Sequence, residues 1–177
     1  MENNELSFRL AVPGDLEALM ELYRSCTLVM NRMGFFNWHE GYPDQETVKK
    51  DIKDRSLHLC PGEGRLLGAV TLNEDEPPEY SGLSWIPVKG KIMVVHRLAV
   101  SPDFQRRGIA GRIMEYAEQT TQQLQVHSIH MDVYSINVPA RNLYRKLGYR
   151  ELEDFYFPGF EIPFTGLEKC LISGSQK

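Results

Sequence analysis

The sequence contains few cysteines, and their spacing does not form a recognisable pattern. Cys26, Cys60 and Cys170 are the three cysteines among 177 residues, and no Cys-x-x-Cys pair occurs. A disulfide framework or a zinc knuckle needs regularly spaced thiols, so we expect reduced packing residues. His127 and His130 flank a predicted strand but have no further ligands at metal-binding spacing. We therefore predict no metal site.

The sequence also lacks a long apolar run, a basic leader and an excess of positive charge. No window approaches the ~18 apolar residues of a membrane helix, and residues 1–5 carry none of the basic side chains that open a signal peptide. The net charge is −4 and the pI is about 5.8. Nucleic-acid binding usually requires a basic face. We expect a cytoplasmic protein that binds neither a membrane nor a nucleic acid.

Composition and patterning predict one globular domain. Hydrophobic residues make up 42% of the chain and charged residues 25%, which is ordinary for a chain of this length with a single core. There is no repeat and no low-complexity tract. The acidic run at 74–79 is typical of a solvated loop, although it could also attract a cationic substrate. We predict a single domain over residues 1–177.

Hydrophobic periodicity predicts alternating helices and strands. Pro13-Gly14-Asp15 is typical of a helix start, and that helix should end near Gly34. Further helices are expected at 45–54, 109–124 and 139–147. Strands are expected at 6–12, 57–60, 65–72, 91–100 and 128–133, with two more near the C-terminus. This order indicates an α/β or α+β domain with a partly parallel central sheet.

The most informative segment is the turn between the strand at 91–100 and the helix that follows it. Gly108 lets the backbone approach a ligand without a Cβ, and the first turn of the helix points unpaired N–H groups at an anion. Arg106 and Arg107 would add positive charge. The turn therefore suits a diphosphate. A plain tight turn with solvated arginines is the alternative, because short glycine motifs recur by chance.

A second motif follows from Asn137 to Tyr149. Ala140, Leu143 and Tyr144 form an apolar helix stripe, in which a tyrosine commonly packs in the core. Asn137 also suits a helix N-cap before Pro139. This motif follows the glycine turn in the order and at the spacing of a second site element, which favours a functional role for Asn137 and Tyr144.

Together the two motifs resemble the GNAT superfamily of N-acetyltransferases. The family's cofactor signature, Gln/Arg-x-x-Gly-x-Gly/Ala, is matched by Gln105 to Ala110 behind Val100. The downstream pattern, Asn-x-x-Ala-x-x-Leu-Tyr followed by Leu-Gly-Tyr/Phe, is matched from Asn137 to Tyr149. The resemblance is closest over 91–150.

The resemblance implies a fold, a cofactor and a set of site residues. The fold is a mixed central sheet, mostly antiparallel with a splayed parallel pair, and with helices on both faces. The cofactor is acetyl-CoA, and no metal takes part. The implied cofactor-binding residues are Leu98, Val100, Gln105, Arg106, Arg107, Gly108, Ile109, Ala110, Gly111 and Asn137. Tyr144 matches the family tyrosine that protonates the departing thiolate.

A further residue must accept the proton of the attacking amine. An imidazole with a pKa near ~6.5 can accept a proton at cytoplasmic pH, and His96 lies in the strand that enters the turn. Some relatives have a histidine at this position, whereas others place a glutamate two residues earlier. Val94 occupies that second position here. His96 is therefore the candidate, with an ordered water or a core histidine as alternatives.

The acceptor is expected to be a primary amine of a small molecule or a peptide. Trp38 and Tyr42, between the first two helices, are candidate walls of its pocket, with local core packing as the alternative. The sequence leaves the oligomeric state open, with a homodimer as one option. The competing function is a non-catalytic acyl-CoA sensor of the same fold, which would need neither Tyr144 nor His96.

Overall fold

The computed structural model describes residues 6–62 and 64–171. Residues 1–5, which bear on the signal-peptide argument, and Glu63 in the predicted turn at 61–64 lie outside the described residues. The helices are α1 Leu16–Arg32, α2 Gln45–Lys53, α3 Ile109–Gln123 and α4 Val138–Lys146. The strands are β1 Arg9–Leu10, β2 Leu57–Pro61, β3 Leu66–Asn73, β4 Ile92–Val100, β5 Ser128–Tyr134, β6 Arg150–Phe155 and β7 Phe164–Cys170.

The strands form a seven-stranded sheet in the order β1-β2-β3-β4-β5-β7-β6. β4 and β5 are parallel over Ile92–Val94, whereas β1–β2, β2–β3, β5–β7 and β6–β7 are antiparallel. The predicted fold class, a mostly antiparallel mixed sheet with one parallel pair, is confirmed. In the described part of the chain, no helix combines the length and apolar character that crossing a bilayer requires.

Most predicted elements agree with the observed ones to within two residues, but β1 is much shorter than the predicted strand at 6–12. The carboxylate of Asp15 explains the difference. It accepts the Val12 N–H at 2.8 Å and binds the Arg9 guanidinium at 2.7 Å. The chain therefore turns into a short 3₁₀ segment, Pro13–Asp15, before a longer strand can form.

The chain divides into two compact units. The first contains the described residues up to Leu72 together with His96–Tyr116, and the second contains Asn73–Val95 and the described residues from Ala117. Both β4 and α3 run from one unit into the other. The prediction of a single domain over 1–177 stays a prediction.

Helices cover both faces of the sheet in the first unit. One hydrophobic cluster joins α1 and α2 to one face, with Leu19, Val48, Leu59, Ala69 and Ala99 among its members. Gly68 precedes Ala69 in β3, so the side-chain position of residue 68 is on the face opposite to that of Ala69. A Cβ built there would lie 2.6 Å from Ile113 of α3 and 2.5 Å from the carbonyl oxygen of Ala99. Helix α3 and the neighbouring strand β4 thus leave no room for a side chain at residue 68.

We expect Gly68→Ala to lower the free energy of unfolding by about 1–3 kcal/mol, because the extra methyl group overpacks the contact with Ala99 and Ile113. Urea denaturation measures this change. Gly14→Ala is the control, since a Cβ at Gly14 has nothing within 4 Å. Equal stability of the two variants would contradict the packing argument.

Candidate functional site

The turn that the sequence singles out connects β4 to α3 in the first unit. A 3₁₀ segment, Pro102–Phe104, follows β4, and Gln105–Gly108 then lead into the helix at Ile109. Arg106 has a φ of 62° and Gly108 a φ of 77°. Left-handed residues next to ordinary ones can turn successive N–H groups towards one point, which is the backbone arrangement of an anion nest.

The start of α3 adds further donors to this turn. Its first helical hydrogen bond runs from Arg112 N to Gly108 O at 3.1 Å. The N–H groups of Ile109, Ala110 and Gly111 therefore precede the ladder and have no carbonyl within the helix. A Cβ built at Gly108 or Gly111 meets nothing within 4 Å. The turn thus combines several backbone donors with open space, as a bound diphosphate requires.

Gln105 has a structural role at the end of β4. Its side-chain Nε2 donates to the carbonyl of Val100 at 3.3 Å, and the Cys26 thiol donates to the same carbonyl at 3.3 Å. Both acceptor positions of this oxygen are thereby used. Val100 can offer a ligand its N–H but not its carbonyl. Sequence reasoning did not foresee this division.

The charge near the turn is held in place by an aromatic ring. The Arg107 guanidinium carbon lies 5.1 Å from the centre of the Phe104 ring, and that of Arg65 lies 4.9 Å from it. Arg65 also binds Asp103 at 2.6 Å. Cation–π contacts limit the motion of both side chains while they stay exposed. Arg106 is exposed as well, so the turn presents positive charge to an anion.

Arg97 of β4 and Asp51 of α2 form a buried ion pair that the sequence analysis missed. Arg97 has a φ of 50° within the strand. Its Nε and Nη2 donate to Asp51 Oδ2 at 2.9 and 2.6 Å, and Thr71 donates to the same oxygen at 3.0 Å. Arg97 Nη1 donates to the Tyr42 hydroxyl at 3.2 Å. Burial lowers the pKa of Arg97, but Tyr42 and Asp51 outweigh it and leave the pKa raised.

The candidate residues of β4 lie on either side of Arg97. His96 and Leu98 are both half-buried, and Val94, which stands where some relatives have glutamate, is completely buried. His96, Leu98 and Val100 lie in the same unit as the turn at 105–111. The first unit also contains the two candidate acceptor residues, Trp38 and Tyr42.

The two candidate acceptor residues differ in their surroundings. Trp38 is 8% exposed and belongs to the hydrophobic cluster of α1 and α2, where its ring meets Tyr23 edge-on at 5.5 Å. Core packing, the alternative reading of Trp38, therefore describes its contacts. Tyr42 is half-buried against the same cluster, and its hydroxyl accepts the bond from Arg97.

Asn137 and Tyr144 lie in the second unit, at the start of α4 and within it. Asn137 Oδ1 accepts the Ala140 N–H at 3.2 Å, so the side chain caps the helix. Tyr144 is 7% exposed and packs edge-on against Tyr149, with ring centres 6.1 Å apart. Burial raises the pKa of the Tyr144 phenol, and the charge of Asp132 raises it further. Tyr144 is thus protonated at neutral pH.

Asp132 is a further residue that sequence reasoning missed. It lies on β5, and its Oδ2 accepts a hydrogen bond from the Tyr80 hydroxyl at 2.7 Å. Burial raises the pKa of Asp132 to about 6, although the bond from Tyr80 lowers it. A lone aspartate inside an apolar strand carries no sequence motif. Only the folded chain brings Tyr80, 52 positions earlier, over it.

Within residues 6–62 and 64–171, no cluster of three or more histidine, cysteine, aspartate or glutamate side chains is placed to hold a metal ion. The donor chemistry of the turn is instead that of backbone amides and guanidinium groups, which bind phosphate.

Known structures share this fold at low sequence identity. An acetyltransferase of the GNAT family from Streptococcus agalactiae is 19% identical, with a TM-score of 0.80 over 94% of this chain and 96% of that one. YncA from Salmonella typhimurium, solved with acetyl-CoA, is 15% identical, with a TM-score of 0.69 over 97% of each chain. The PaiA N-acetyltransferase from Thermoplasma acidophilum, solved with coenzyme A, is 15% identical, with a TM-score of 0.69 over 94% and 99%. No curated protein matches the chain.

The family model agrees with both the fold and the motifs. It is described as the acetyltransferase (GNAT) family and matches residues 16–149, a stretch that includes β4, the glycine turn, Asn137 and Tyr144. This stretch is well over half of the chain. The protein therefore belongs to the acetyltransferase (GNAT) family.

Proposed function

We propose that this protein transfers an acetyl group directly from acetyl-CoA to a primary amine of a small molecule or a peptide. The observation that carries the proposal is the turn between β4 and α3. It has two left-handed residues, three helix-start N–H groups and exposed arginines around open space. When bound, acetyl-CoA supplies an activated acetyl carbonyl, and the chain's own groups hold it and move the protons.

Different groups in and near the turn contact different parts of coenzyme A. The N–H groups of 106–111 bind the diphosphate. The exposed side chains of Arg106 and Arg107 add positive charge that attracts the phosphates. Gln105 holds the turn against the end of β4 through the Val100 carbonyl. Leu98 and the Val100 N–H pair with the pantetheine arm. Asn137 contacts the cofactor through its amide nitrogen, since its oxygen caps α4.

Tyr144 donates a proton to the departing sulfur. A general acid must hold its proton at the working pH, and an ordinary tyrosine, with a pKa of ~10, already does so. Burial and the charge of Asp132 raise the pKa of Tyr144, which keeps the phenol protonated but makes it a weaker donor. Backbone N–H groups polarise the acetyl carbonyl as the amine attacks. His96 or an ordered water then accepts the amine proton.

The pKa of the acceptor decides how much help it needs from a base. An amine of lysine type, with a pKa of ~10.4, costs roughly 4.6 kcal/mol to present uncharged at pH 7, whereas an α-amine near ~7.8 costs about 1.1 kcal/mol. The requirement for His96 should therefore be larger for a lysine-like acceptor.

Direct transfer is favoured because the thiols of the first unit are poor nucleophiles. Cys26 and Cys60 are 4% and 1% exposed. Burial raises the pKa of Cys26 to about 12 and also raises the pKa of Cys60. Only a thiolate attacks a thioester efficiently, so neither cysteine is suited to carry the acetyl group.

We expect Gly108→Ala to weaken coenzyme A binding about tenfold, because a side chain at a φ of 77° costs about 1–2 kcal/mol and reshapes the turn. Gly34→Ala is the matched control. Gly34 has a φ of 82°, also with nothing within 4 Å of a built Cβ, but lies after the end of α1. Isothermal titration with coenzyme A distinguishes the two. Similar affinity for both variants would remove the turn from the binding site.

We expect Tyr144→Phe to lower turnover by ~10²–10⁴ while coenzyme A affinity stays within a few-fold, as for loss of a general acid. The assay is release of free coenzyme A thiol from acetyl-CoA with a panel of amines. Tyr149→Phe, which removes the neighbouring buried phenol, is the control and should keep normal turnover. Full activity of Tyr144→Phe would refute its role.

Binding of acetyl-CoA without amine-dependent thiol release would instead favour a sensor.

We expect a thiol reagent to modify only the exposed Cys170 quickly in the native protein, and to reach Cys26 and Cys60 only after denaturation. Mass spectrometry after incubation with acetyl-CoA alone should then find no acetyl group on Cys26 or Cys60. An acetylated Cys26 peptide that loses its acetyl group when an amine is added would indicate an acyl-enzyme.

A further inference from the structure

The backbone of β4 reverses its hydrogen-bonding directions near Arg97. Just before the strand, the carbonyl of Lys91 accepts the His127 N–H at 3.2 Å, so the backbone groups of odd-numbered residues point towards β5 there. After Arg97, the Ser101 N–H donates to Leu67 of β3 at 2.9 Å. At this end of the strand, the backbone N–H and C=O groups of odd-numbered residues therefore point towards β3. A regular strand keeps one alternation throughout, so the strand must contain an irregularity between these points.

Arg97 is the residue at which this reversal fits. Its φ of 50° is left-handed, whereas the alternation of a strand requires extended residues. Because of the reversal, the backbone groups of Leu98 and Val100 point to the edge away from β3. Without it, the groups of Ala99 would point there instead. The reversal therefore selects which N–H and C=O groups that edge of β4 presents.

A left-handed arginine is unfavourable by itself, so its side chain must be held. The Arg97 and Asp51 side chains are 10% and 4% exposed. Two nitrogens of Arg97 donate to Asp51 Oδ2, and a third donates to the Tyr42 hydroxyl. If Arg97 turned away, it would leave the Asp51 carboxylate buried without its countercharge. That penalty exceeds the backbone strain, so the pair stabilises the left-handed conformation.

We propose that Asp51 is a positioning residue for acetyl transfer: through Arg97 it fixes the backbone reversal in β4 and thereby presents Leu98 and Val100 to the pantetheine arm of coenzyme A. This inference rests on the proposed function. Asp51 itself touches neither substrate. Its action passes through the conformation of residue 97.

The test compares two double variants that differ by one methyl group, Asp51→Asn/Arg97→Gly and Asp51→Asn/Arg97→Ala. Both remove the buried charges together, so neither leaves a countercharge unpaired. Glycine adopts a φ of 50° without a penalty, whereas alanine does not. We expect the glycine variant to bind coenzyme A within about threefold of the wild type, and the alanine variant to bind about tenfold more weakly. Isothermal titration measures both affinities, and urea denaturation reports stability.

The outcomes separate the two levels of the argument. Wild-type protein that does not bind coenzyme A overturns the proposed function and this inference with it. Wild-type binding combined with equal affinity of the two double variants overturns the inference alone. A glycine variant that folds and binds beside an alanine variant that does not fold supports it, since only the residue 97 methyl group differs. Failure of both variants to fold overturns it, because the pair would then serve the core.

Discussion

The buried contact between Asp51 and Arg97 ties the helical layer of the first unit to the strand that leads into the glycine turn. Asp51 comes from α2 and accepts from Arg97 of β4 and Thr71 of β3. A charge buried to this degree is tolerated only when its partner is fixed. The pair therefore constrains a helix and two neighbouring strands at once, and the conformation of β4 follows from it.

The glycine turn depends on a second set of contacts that all converge on the end of β4. Cys26 of α1 and the Gln105 side chain share the carbonyl of Val100, and the Ser101 N–H is paired with Leu67 of β3. These bonds fix the point from which the chain leaves the sheet. The N–H groups at the start of α3 then point in a direction that the strand end has already set. Binding by backbone groups requires such rigidity, because the donors cannot adjust as side chains do.

The second unit gives its candidate site residues a different environment. Trp85 stacks on His130 at 3.8 Å, and Tyr80 donates to Asp132, so a loop with little regular structure covers one face of β5. In such surroundings burial controls protonation. It raises the pKa of the Tyr144 phenol and brings the pKa of Asp132 to about 6. The family motif is therefore the support for Tyr144 as the proposed acid, and the local electrostatics only keep the phenol neutral.

Local spacing was enough to predict most of the fold. The glycine at 108, the helix beginning at 109 and the cap at Asn137 are set by residues within four positions of each other, and such short-range preferences can be read directly. The predicted β1 was too long because Asp15 captures the Val12 N–H, a side-chain contact that strand alternation does not reveal. The sequence makes Trp38 a candidate pocket wall with core packing as the alternative, and only the fold shows that its ring belongs to the hydrophobic cluster of α1 and α2.

The sequence by itself determined the family, the order of the elements and the position of the glycine turn before α3, because each depends on residues close together along the chain. Tertiary structure alone decided the partner of Arg97, the loss of the Val100 carbonyl as an acceptor and the environment of Asp132. Asp51 and Arg97 are 46 positions apart, and nothing in either local sequence specifies the other. Their pairing arises only when packing removes both charges from water and leaves each as the other's partner.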